Sequence, residues 1–304
     1  MVDFHTHSNI SDGDFSPAML IREAVRQGLY AVALTDHDTI NGLDSARDAA
    51  KHENIHFIPG IEINIKWNGK SARGAAGLGP GGEFHLLGLG INSPTPAFVS
   101  AIGELSRRRE ARNREILDRM HELSIDATWE ELLALSGGTD RLRPAGISGS
   151  HSLGRPHFAA LLVKRKIVRN MNQAFARYLG AGKPLYVPKE GLIFEEAAAL
   201  IRESGGIPVL AHPISLYVAW GRLPDLVKIL KDMGLMGLEA WHPTARSGSC
   251  RRLEALAKSL GLYVTEGSDF HGSARPDRRL GYSNKDRKIS DAVLDAIPEL
   301  EIKS

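Results

Sequence analysis

Two histidines separated by one residue lie close to the start of this 304-residue sequence, in the segment Val2–His7. In a β-strand, alternate side chains project from the same face, so a strand here would place His5 and His7 side by side. Neighbouring imidazoles at a strand end are half of a typical transition-metal site. A hydrogen-bonded pair of surface histidines is the alternative, and the pair alone does not decide between the two.

Histidine, aspartate and glutamate recur where the later strands are expected to begin or end. The further candidates for metal binding are Asp12, His37, Glu62, His85, His212, Asp269 and His271. His242 also follows a predicted strand, but we do not count it among the nine strong candidates. A single catalytic zinc typically has about three protein ligands. Nine groups therefore predict two or three metal ions, with a carboxylate such as Glu62 bridging two of them.

The expected chemistry follows from the number of ions. Clustered divalent ions generate a hydroxide near neutral pH and hold the oxygens of an in-line displacement. They also neutralise a dianionic substrate, so the pattern favours hydrolysis of a phosphoester by a metal-bound hydroxide. We predict that His37, Asp38 and Glu62 are catalytic. Asp38 either orients a sugar hydroxyl or the attacking water, or accepts a hydrogen bond from His37, and the sequence leaves these roles open.

Composition narrows the class of protein. The formal net charge of +2 is too small to predict bulk attraction to nucleic acid or to a membrane. The only cysteine, Cys250, excludes an internal disulfide and a thiolate metal site. The sequence has no apolar run long enough to cross a bilayer and no signal-peptide pattern at its N-terminus. We therefore expect a cytoplasmic enzyme that does not act at a membrane.

The strands that must position these residues alternate with helices at both ends of the chain. Short apolar runs, such as residues 31–34 and 237–241, are typical of buried parallel strands. About seven such strands predict an α/β barrel, whose functional residues gather at the carboxyl ends of the strands. Two stretches rich in glycine, at residues 70–82 and 137–153, are predicted loops.

The middle of the chain has a different pattern, which begins after Pro94 and Pro96. Here the periodicity is helical, and the first helix extends over about residues 97–123. We predict three parts: residues 1–94 form the first part of the barrel, residues 95–185 form a helical insertion that covers the substrate, and residues 186–304 complete the barrel. The densest basic run, Arg107–Arg114, lies within the insertion. It is either a solvated helix face or an anion site, because arginine binds phosphate through two parallel hydrogen bonds.

The motifs in combination resemble those of the PHP (polymerase and histidinol phosphatase) superfamily, and the resemblance covers essentially the whole chain. The motifs are His5-Thr6-His7, Ser11-Asp12-Gly13, Leu34-Thr35-Asp36-His37-Asp38, Pro59-Gly60-Ile61-Glu62, His85-Leu86-Leu87-Gly88-Leu89-Gly90, Ala211-His212-Pro213 and Gly267-Ser268-Asp269-Phe270-His271-Gly272. The chain is most similar to the stand-alone phosphoesterases of this superfamily that carry a helical insertion. That subgroup includes nucleoside 3′,5′-bisphosphate phosphatases and 5′ exonucleases of short RNA.

The resemblance implies a distorted (β/α)7 barrel with an inserted α-helical subdomain and a trinuclear metal site, in which manganese is the first expectation and iron or zinc the alternatives. The implied metal ligands are His5, His7, Asp12, His37, Glu62, His85, His212, Asp269 and His271. Asp12 stands where some relatives carry a histidine. The resemblance also places Arg109 and Arg112 on a second phosphate of the substrate, with Arg155 on phosphate and His157 nearby. The expected partner is a small phosphorylated nucleotide, and the oligomeric state stays open.

Four other functions compete with removal of the 3′-phosphate from a nucleoside 3′,5′-bisphosphate. Stepwise 5′→3′ trimming of short RNA would use the same chemistry and the same basic run. Histidinol-phosphate hydrolysis would leave the arginines of the insertion without a role. A metal-dependent amidohydrolase usually requires a carboxylated lysine on a middle strand, and no strand here supplies one. A non-catalytic nucleotide-binding module would be expected to have lost metal ligands, whereas all nine positions are filled.

Overall fold

The computed structural model describes residues 1–68, 79–135 and 153–300. Most of the two predicted glycine-rich loops, at residues 70–78 and 137–152, lies outside these ranges. The described chain is an α/β fold, and its larger sheet is nearly closed into a barrel. This architecture confirms the predicted fold class.

Seven strands follow one another around the barrel in the order β1-β2-β3-β4-β6-β7-β8. They are β1 (Val2–Asp3), β2 (Ala31–Leu34), β3 (His56–Lys66), β4 (His85–Leu89), β6 (Ile207–Leu210), β7 (Gly237–Trp241) and β8 (Tyr263–Glu266). The short strand β5 (Leu192–Ile193) pairs with the end of β3 outside this path. Beyond β8, a two-stranded hairpin forms from β9 (Tyr282–Asn284) and β10 (Arg287–Lys288).

Backbone hydrogen bonds bring the first and last strands of the barrel together. The amide of Phe4 donates to the carbonyl of Glu266, and the amide of His7 donates to the carbonyl of Phe270 at 2.9 Å. Thr6 and Phe270 also form an isolated parallel bridge. Because the two ends of the sheet meet here, the first histidine pair and the last acid–histidine pair lie next to each other.

The prediction of seven parallel strands is wrong for β4, which is antiparallel to both of its neighbours, β3 and β6. An apolar run such as His85–Leu89 indicates a buried strand but carries no signal for its direction. Parallel neighbours need a crossover connection, usually a helix, whereas antiparallel ones do not. The sequence between β3 and β4 has no helical pattern, which fits the antiparallel arrangement. The reversal places His85, the first residue of β4, at the same end of the barrel as the carboxyl ends of the other strands.

Six helices pack outside the barrel or close to its ends. They are α1 (Pro17–Arg26), α2 (Leu43–Glu53), α7 (Phe194–Glu203), α8 (Leu223–Asp232), α9 (Ser247–Ser259) and α10 (Ala292–Asp295). Local sequence explains where α1 begins: the Ser16 hydroxyl accepts the amide of Met19, and Pro17 occupies the first turn. In the described part of the chain, no helix combines the length and the apolar character needed to cross a membrane.

The remaining helices belong to the middle of the chain. They are α3 (Pro96–Glu122), α4 (Trp129–Leu135), α5 (Arg155–Lys164) and α6 (Met171–Ala174), which continues as a π-helical turn over Phe175–Leu179. The second half of α3 packs with α4, α5 and α6 around an apolar cluster that includes Ile116, Phe158 and Leu162. The first half of α3 instead packs on the barrel through Phe98 and Ile102. This separate core agrees with a helical insertion, and the domain boundaries at residues 94 and 185 stay predictions.

Candidate metal centre and adjoining cationic pocket

A buried carboxylate, Glu62, lies at the centre of the histidine cluster. Its oxygens are within 3.5 Å of a ring nitrogen of five histidines. The distances are 3.5 Å to His5, 3.4 Å to His7, 2.9 Å to His37, 2.8 Å to His85 and 2.9 Å to His212. The sheet register explains this position, because His37, just after the end of β2, forms a parallel bridge with Glu62 inside β3. The sequence analysis expected β3 to end at Glu62, but the strand continues to Lys66. A carboxylate with imidazoles on both oxygens is arranged as a bridging ligand would be.

The remaining acids of the predicted set lie on the other side of the same histidines. Asp12 is 3.3 Å from His271, and Asp269 is 3.4 Å from His7, measured between carboxylate oxygen and ring nitrogen. Asp269 is also 3.3 Å from His242, which the sequence analysis left outside the nine strong candidates. All nine predicted ligands therefore converge in one place, and His242 joins them.

Four groups of three or four of these side chains offer ligand atoms that all lie within 4.8 Å of one another. The groups are His7, Asp12, His37 and His271; His5, His242 and Asp269; His5, His7 and Glu62; and His37, Glu62 and His85. They share members, so neighbouring ions would share ligands. His212 is in none of the four groups, but its Nε2 atom is 3.3 Å from His85 Nδ1.

The cluster leaves buried polar atoms without hydrogen bonds, which is the feature that fits metal ions. Among the described residues, no hydrogen bond reaches Asp12 Oδ1, His37 Nδ1, Glu62 Oε2 or His242 Nε2. The Nε2 atoms of His5 and His7 face each other at 3.1 Å. Buried polar groups are rarely left unpaired, and imidazole nitrogens that converge with carboxylates are the donor set of Mn, Fe and Zn. The residues present therefore fit a cluster of divalent ions.

The protonation of the cluster is strongly perturbed. Burial, together with the positive charge of His271, lowers the pKa of His7 to about 3. Burial alone would raise the pKa of Asp12, but the charges of His271 and His37 bring it well below its ordinary value. Neutral imidazole and ionised carboxylate are the forms that bind metals, and His7 and Asp12 are both in that form near neutral pH.

A carboxylate that the sequence analysis missed supports two of the histidines. Glu239 is fully buried on β7, where Oε1 accepts a hydrogen bond from His5 Nδ1 at 2.9 Å and Oε2 accepts one from the amide of His212 at 2.7 Å. A carboxylate on one ring nitrogen directs the other nitrogen toward a metal. The available signal was a charged residue inside the apolar strand Gly237–Trp241, because unpaired acids are almost never fully buried.

In the described part of the chain, the Asp38 carboxylate makes no hydrogen bond with His37 or another predicted ligand, and it joins the barrel to the insertion. The backbone amide of Asp38 donates to the carbonyl of Glu62 at 2.9 Å. Oδ1 accepts the amide of Asn64 at 2.8 Å, and Oδ2 accepts the Asn64 side-chain amide at 2.6 Å and Arg109 Nη2 at 2.5 Å. These contacts do not support the alternative in which Asp38 serves His37 as an acceptor. They place the carboxylate beside the arginine expected to bind the substrate.

Two candidate ligands, His212 and Asp269, and the adjoining Asp38 have left-handed backbone conformations, which non-glycine residues rarely adopt. The φ angles are 51° for Asp38, 27° for His212 and 52° for Asp269. Such conformations cost free energy and persist where the surrounding structure holds them, often at functional sites. Here they occur just after the strands β2, β6 and β8, in the turns that position His212 and Asp269 in the cluster and Asp38 beside Arg109.

A cationic pocket of about 230 Å³ adjoins the cluster. Its walls include the candidate ligands Asp12, His37 and His85, together with five cationic side chains. The cations are Arg109, Arg112, Arg155, Lys189 and Arg275. Arg112 is only 9% exposed, and burial together with the charges of Arg109 and Arg155 lowers its pKa to about 9. Cations held together in this way favour an anion between them.

Lys189 was not predicted, and it shares one carboxylate with Arg155. Both side chains are 3.3 Å from Glu83 Oε1. The charge of Lys189 is the main reason that the pKa of Glu83 lies below its ordinary value. Lys189 follows the segment in which the chain returns from the insertion to the barrel. The sequence did not indicate that residues after this segment line the cationic pocket.

The other arginines of the basic run face solvent. Arg107 and Arg108 pair with Glu104, and Arg114 pairs with Glu110, all within α3. These exposed pairs contribute little to stability. The solvated-face interpretation is therefore correct for these three residues, while Arg109 and Arg112, three positions apart, turn inward.

His157 has a structural contact of its own. Its Nδ1 accepts the amide of Gly154 at 3.0 Å, at the start of α5, and the side chain is buried. This contact satisfies an amide that the helix leaves unpaired. A role for His157 in substrate binding stays a prediction.

Known proteins resemble this chain in sequence and in fold. The family model described as the PHP domain matches residues 3–179. A 5′-3′ exoribonuclease of Haemophilus influenzae is 32% identical, covering 88% of this chain and 89% of its own. A 3′,5′-nucleoside bisphosphate phosphatase of Chromobacterium violaceum is 27% identical, covering 93% and 91%. A solved structure from Bifidobacterium adolescentis, assigned as a metal-dependent phosphoesterase, is 26% identical with a TM-score of 0.79 and covers 99% of this chain and 96% of its own.

Proposed function

Since this chain belongs to the PHP domain family and is a phosphoesterase, we propose that it removes the 3′-phosphate from nucleoside 3′,5′-bisphosphates. The observation that supports the proposal is that the buried histidine–acid cluster and the cationic pocket, here called the two compartments of the site, adjoin each other. A cluster of buried His, Asp and Glu side chains lies directly against a pocket lined by five cations, and the two share Asp12, His37 and His85 as walls. A substrate with two phosphates on one small nucleoside can occupy both at once.

We propose that the nine predicted ligands and His242 hold two or three divalent ions, with manganese as the first expectation and iron or zinc as alternatives. When bound, such ions would supply an activated water near neutral pH and neutralise the charge of the scissile phosphate. Glu62 would bridge ions, because five imidazoles surround its two oxygens. Glu239 would keep His5 and His212 in their orientations through its two hydrogen bonds.

The cations select the substrate in this proposal. Arg109, Arg112, Arg155 and Lys189 would bind the phosphate that is not hydrolysed, and guanidinium groups suit this role because they bind phosphate oxygens in pairs. Asp38 would hold Arg109 in place through their ion pair and stand where a sugar hydroxyl can reach its carboxylate. The substrate would thereby be fixed at one phosphate while the other is presented to the cluster.

A second candidate is 5′→3′ exonuclease activity on short RNA, which the 32% identity to the Haemophilus influenzae exoribonuclease favours. The same two compartments would then bind the 5′-terminal phosphate and the first phosphodiester. In either case the substrate is a phosphorylated nucleotide or short oligonucleotide. We keep the cytoplasm as the predicted compartment.

The test is release of inorganic phosphate from adenosine 3′,5′-bisphosphate in the presence of Mn²⁺, compared with release of adenosine 5′-phosphate from a 5′-phosphorylated diadenylate. Faster turnover of the bisphosphate supports the phosphatase, and faster turnover of the dinucleotide supports the exonuclease. We expect His37→Ala and Glu62→Ala each to lower kcat by at least about 100-fold, because each removes a ligand from the centre of the cluster.

His52→Ala is the matched control, since His52 is an exposed histidine of α2 that takes no part in the cluster. It should retain the full rate. Wild-type activity in Glu62→Ala, or an absence of turnover on every phosphoester tried with Mn²⁺, Fe²⁺ and Zn²⁺, would contradict the proposal.

A further inference from the structure

A second cavity, of about 460 Å³, lies beside both compartments of the site. It shares Asp12 with the metal cluster and the cationic pocket, and His271 with the cluster alone. It shares Pro156, Phe175 and Arg275 with the cationic pocket. The cavity therefore adjoins both proposed phosphate sites. The proposed function assigns no part of the substrate to it.

The walls of this cavity are more apolar than those of the cationic pocket. Met171, Phe175 and Pro156 supply apolar surface, and Asn172 supplies an amide. Ligand sites in proteins are mostly apolar cavities of several hundred Å³ with a few polar groups that fix orientation. This combination suits a flat heterocycle with hydrogen-bonding edges better than it suits a third phosphate.

Phe175 lies at an irregular point of the backbone. The helix α6 ends at Ala174, and the chain continues from Phe175 as a π-helical turn. Such turns are rare and occur frequently at functional sites, where they displace a side chain from the regular helical position. The Phe175 side chain is only partly buried against the core of the insertion, so part of it is available to the cavity.

Arg275 stands at the boundary between the cavity and the cationic pocket. Its side chain is exposed, and it makes no ion pair or side-chain hydrogen bond with any residue in the described ranges. A guanidinium group binds phosphate oxygens and also stacks on the face of an aromatic ring. It therefore suits a ligand that carries a phosphate next to a ring.

We propose that this cavity binds the base of the nucleoside that carries both phosphates, with the base stacked on Phe175 and Arg275 at the entrance. The proposal rests on the proposed function, because it places one phosphate at the metal cluster and the other in the cationic pocket, beside Arg109, Arg112, Arg155 and Lys189. The nucleoside between those phosphates then lies where all three spaces meet. The same placement holds for the 5′-terminal nucleotide of a short RNA.

The test compares two bisphosphates that differ in the base. Adenosine 3′,5′-bisphosphate carries adenine as its base. Propane-1,3-diol bisphosphate has two phosphates on a three-carbon chain and no base. Stacking of a base on an aromatic side chain is worth roughly tenfold or more in affinity. We expect Phe175→Ala to raise the KM for the nucleotide roughly tenfold, while kcat/KM for the diol bisphosphate stays unchanged and Phe175→Trp restores the wild-type KM.

A second pair of variants does not depend on removing Phe175. Ala160 lines the cavity, so the larger side chain of Ala160→Trp should fill it. This variant should weaken binding of the nucleotide but not of the diol bisphosphate. Ala176 is exposed and lies next to Phe175 in the chain without lining the cavity, so Ala176→Trp should have no effect.

Binding of adenosine 5′-phosphate, measured by calorimetry, separates this inference from the proposed function. If the wild type hydrolyses no bisphosphate but Phe175→Ala still weakens this binding roughly tenfold, the proposed function fails and the base site stands. Equal binding and equal KM in wild type, Phe175→Ala and Ala160→Trp would overturn the inference. The inference would also be overturned if Phe175→Ala lowered kcat/KM by the same factor for both bisphosphates.

Discussion

Single carboxylates determine how the histidines of this site are held. Glu62 faces five imidazoles with its two oxygens, while Glu239 holds His5 and the backbone of His212 from behind. Both acids lie inside apolar strands, where an ionised group without partners would cost several kcal/mol. Their burial is explained by the cationic and hydrogen-bonding groups around them.

We expect Glu239→Gln to lower metal affinity by about 10- to 100-fold, because the amide cannot accept from both His5 and His212 as the carboxylate does. The loss of activity should be reversed in part by excess Mn²⁺. Metal titration followed by activity measures both effects.

Glu254→Gln is the control for this change. Glu254 accepts from Trp241 and Lys258 at the surface and does not reach the cluster. An equal loss of metal affinity in both variants, or none in Glu239→Gln, would contradict the positioning role of Glu239.

One long helix connects the two cores of the molecule. The 27-residue helix α3 begins on the barrel at Pro96, and its second half belongs to the core of the insertion. Arg109 and Arg112 lie between these halves and face the cationic pocket. Because the same helix packs on both cores, the position of the two arginines relative to the metal cluster is set by packing and not by a mobile loop.

Arg112→Met should stabilise the free protein and weaken substrate binding. Arg112 is buried beside two other arginines, and its Nε makes no hydrogen bond with a described residue. Removing a buried charge among like charges is worth about 1 kcal/mol, or roughly 2 °C in Tm. We expect Tm without ligand to rise by that amount and the KM for adenosine 3′,5′-bisphosphate to increase roughly tenfold.

Arg107→Met is the matched change on the exposed side of α3, where Arg107 pairs with Glu104. It should alter neither Tm nor KM. A decrease of Tm in Arg112→Met, with KM unchanged, would show that Arg112 serves the fold and not an anion.

At the scale of the whole molecule, the predicted metal ligands extend over most of the chain, from His5 to His271. They belong to both parts of the barrel, whose first and last strands meet through hydrogen bonds of Phe4 and His7. Ions bound there would link segments that are distant in sequence. Metal binding and folding of the barrel should therefore be coupled.

We expect Mn²⁺ to raise Tm and EDTA to lower it. Binding at about 100 times Kd stabilises a folded protein by about 2.7 kcal/mol for each site. Differential scanning calorimetry of the metal-free and Mn²⁺-loaded protein measures the shift. Glu62→Ala should lose most of it, and His52→Ala should keep it; a shift of the same size in both variants would contradict metal binding at the cluster.

The amino-acid sequence was enough to predict the barrel class and the histidines and acids that converge at one end of the barrel. Acids and histidines at strand ends are visible as a pattern, because the carboxyl ends of parallel strands meet at one end of a barrel. Residues as distant as His7 and His271 were predicted to converge, and in the structure they do. The start of the long helix α3 was also predictable from its proline and its periodicity.

Three features came from the three-dimensional packing: the direction of β4, the arginines that face the pocket, and the presence of Glu239 and Lys189 at the site. Each of these depends on contacts between segments that are distant in the chain. Apolar alternation is the same for either strand direction, and a run of arginines has the same composition whichever face turns inward. The physical reason is that local sequence sets the conformation of each segment, while packing between segments selects the neighbours of each charge.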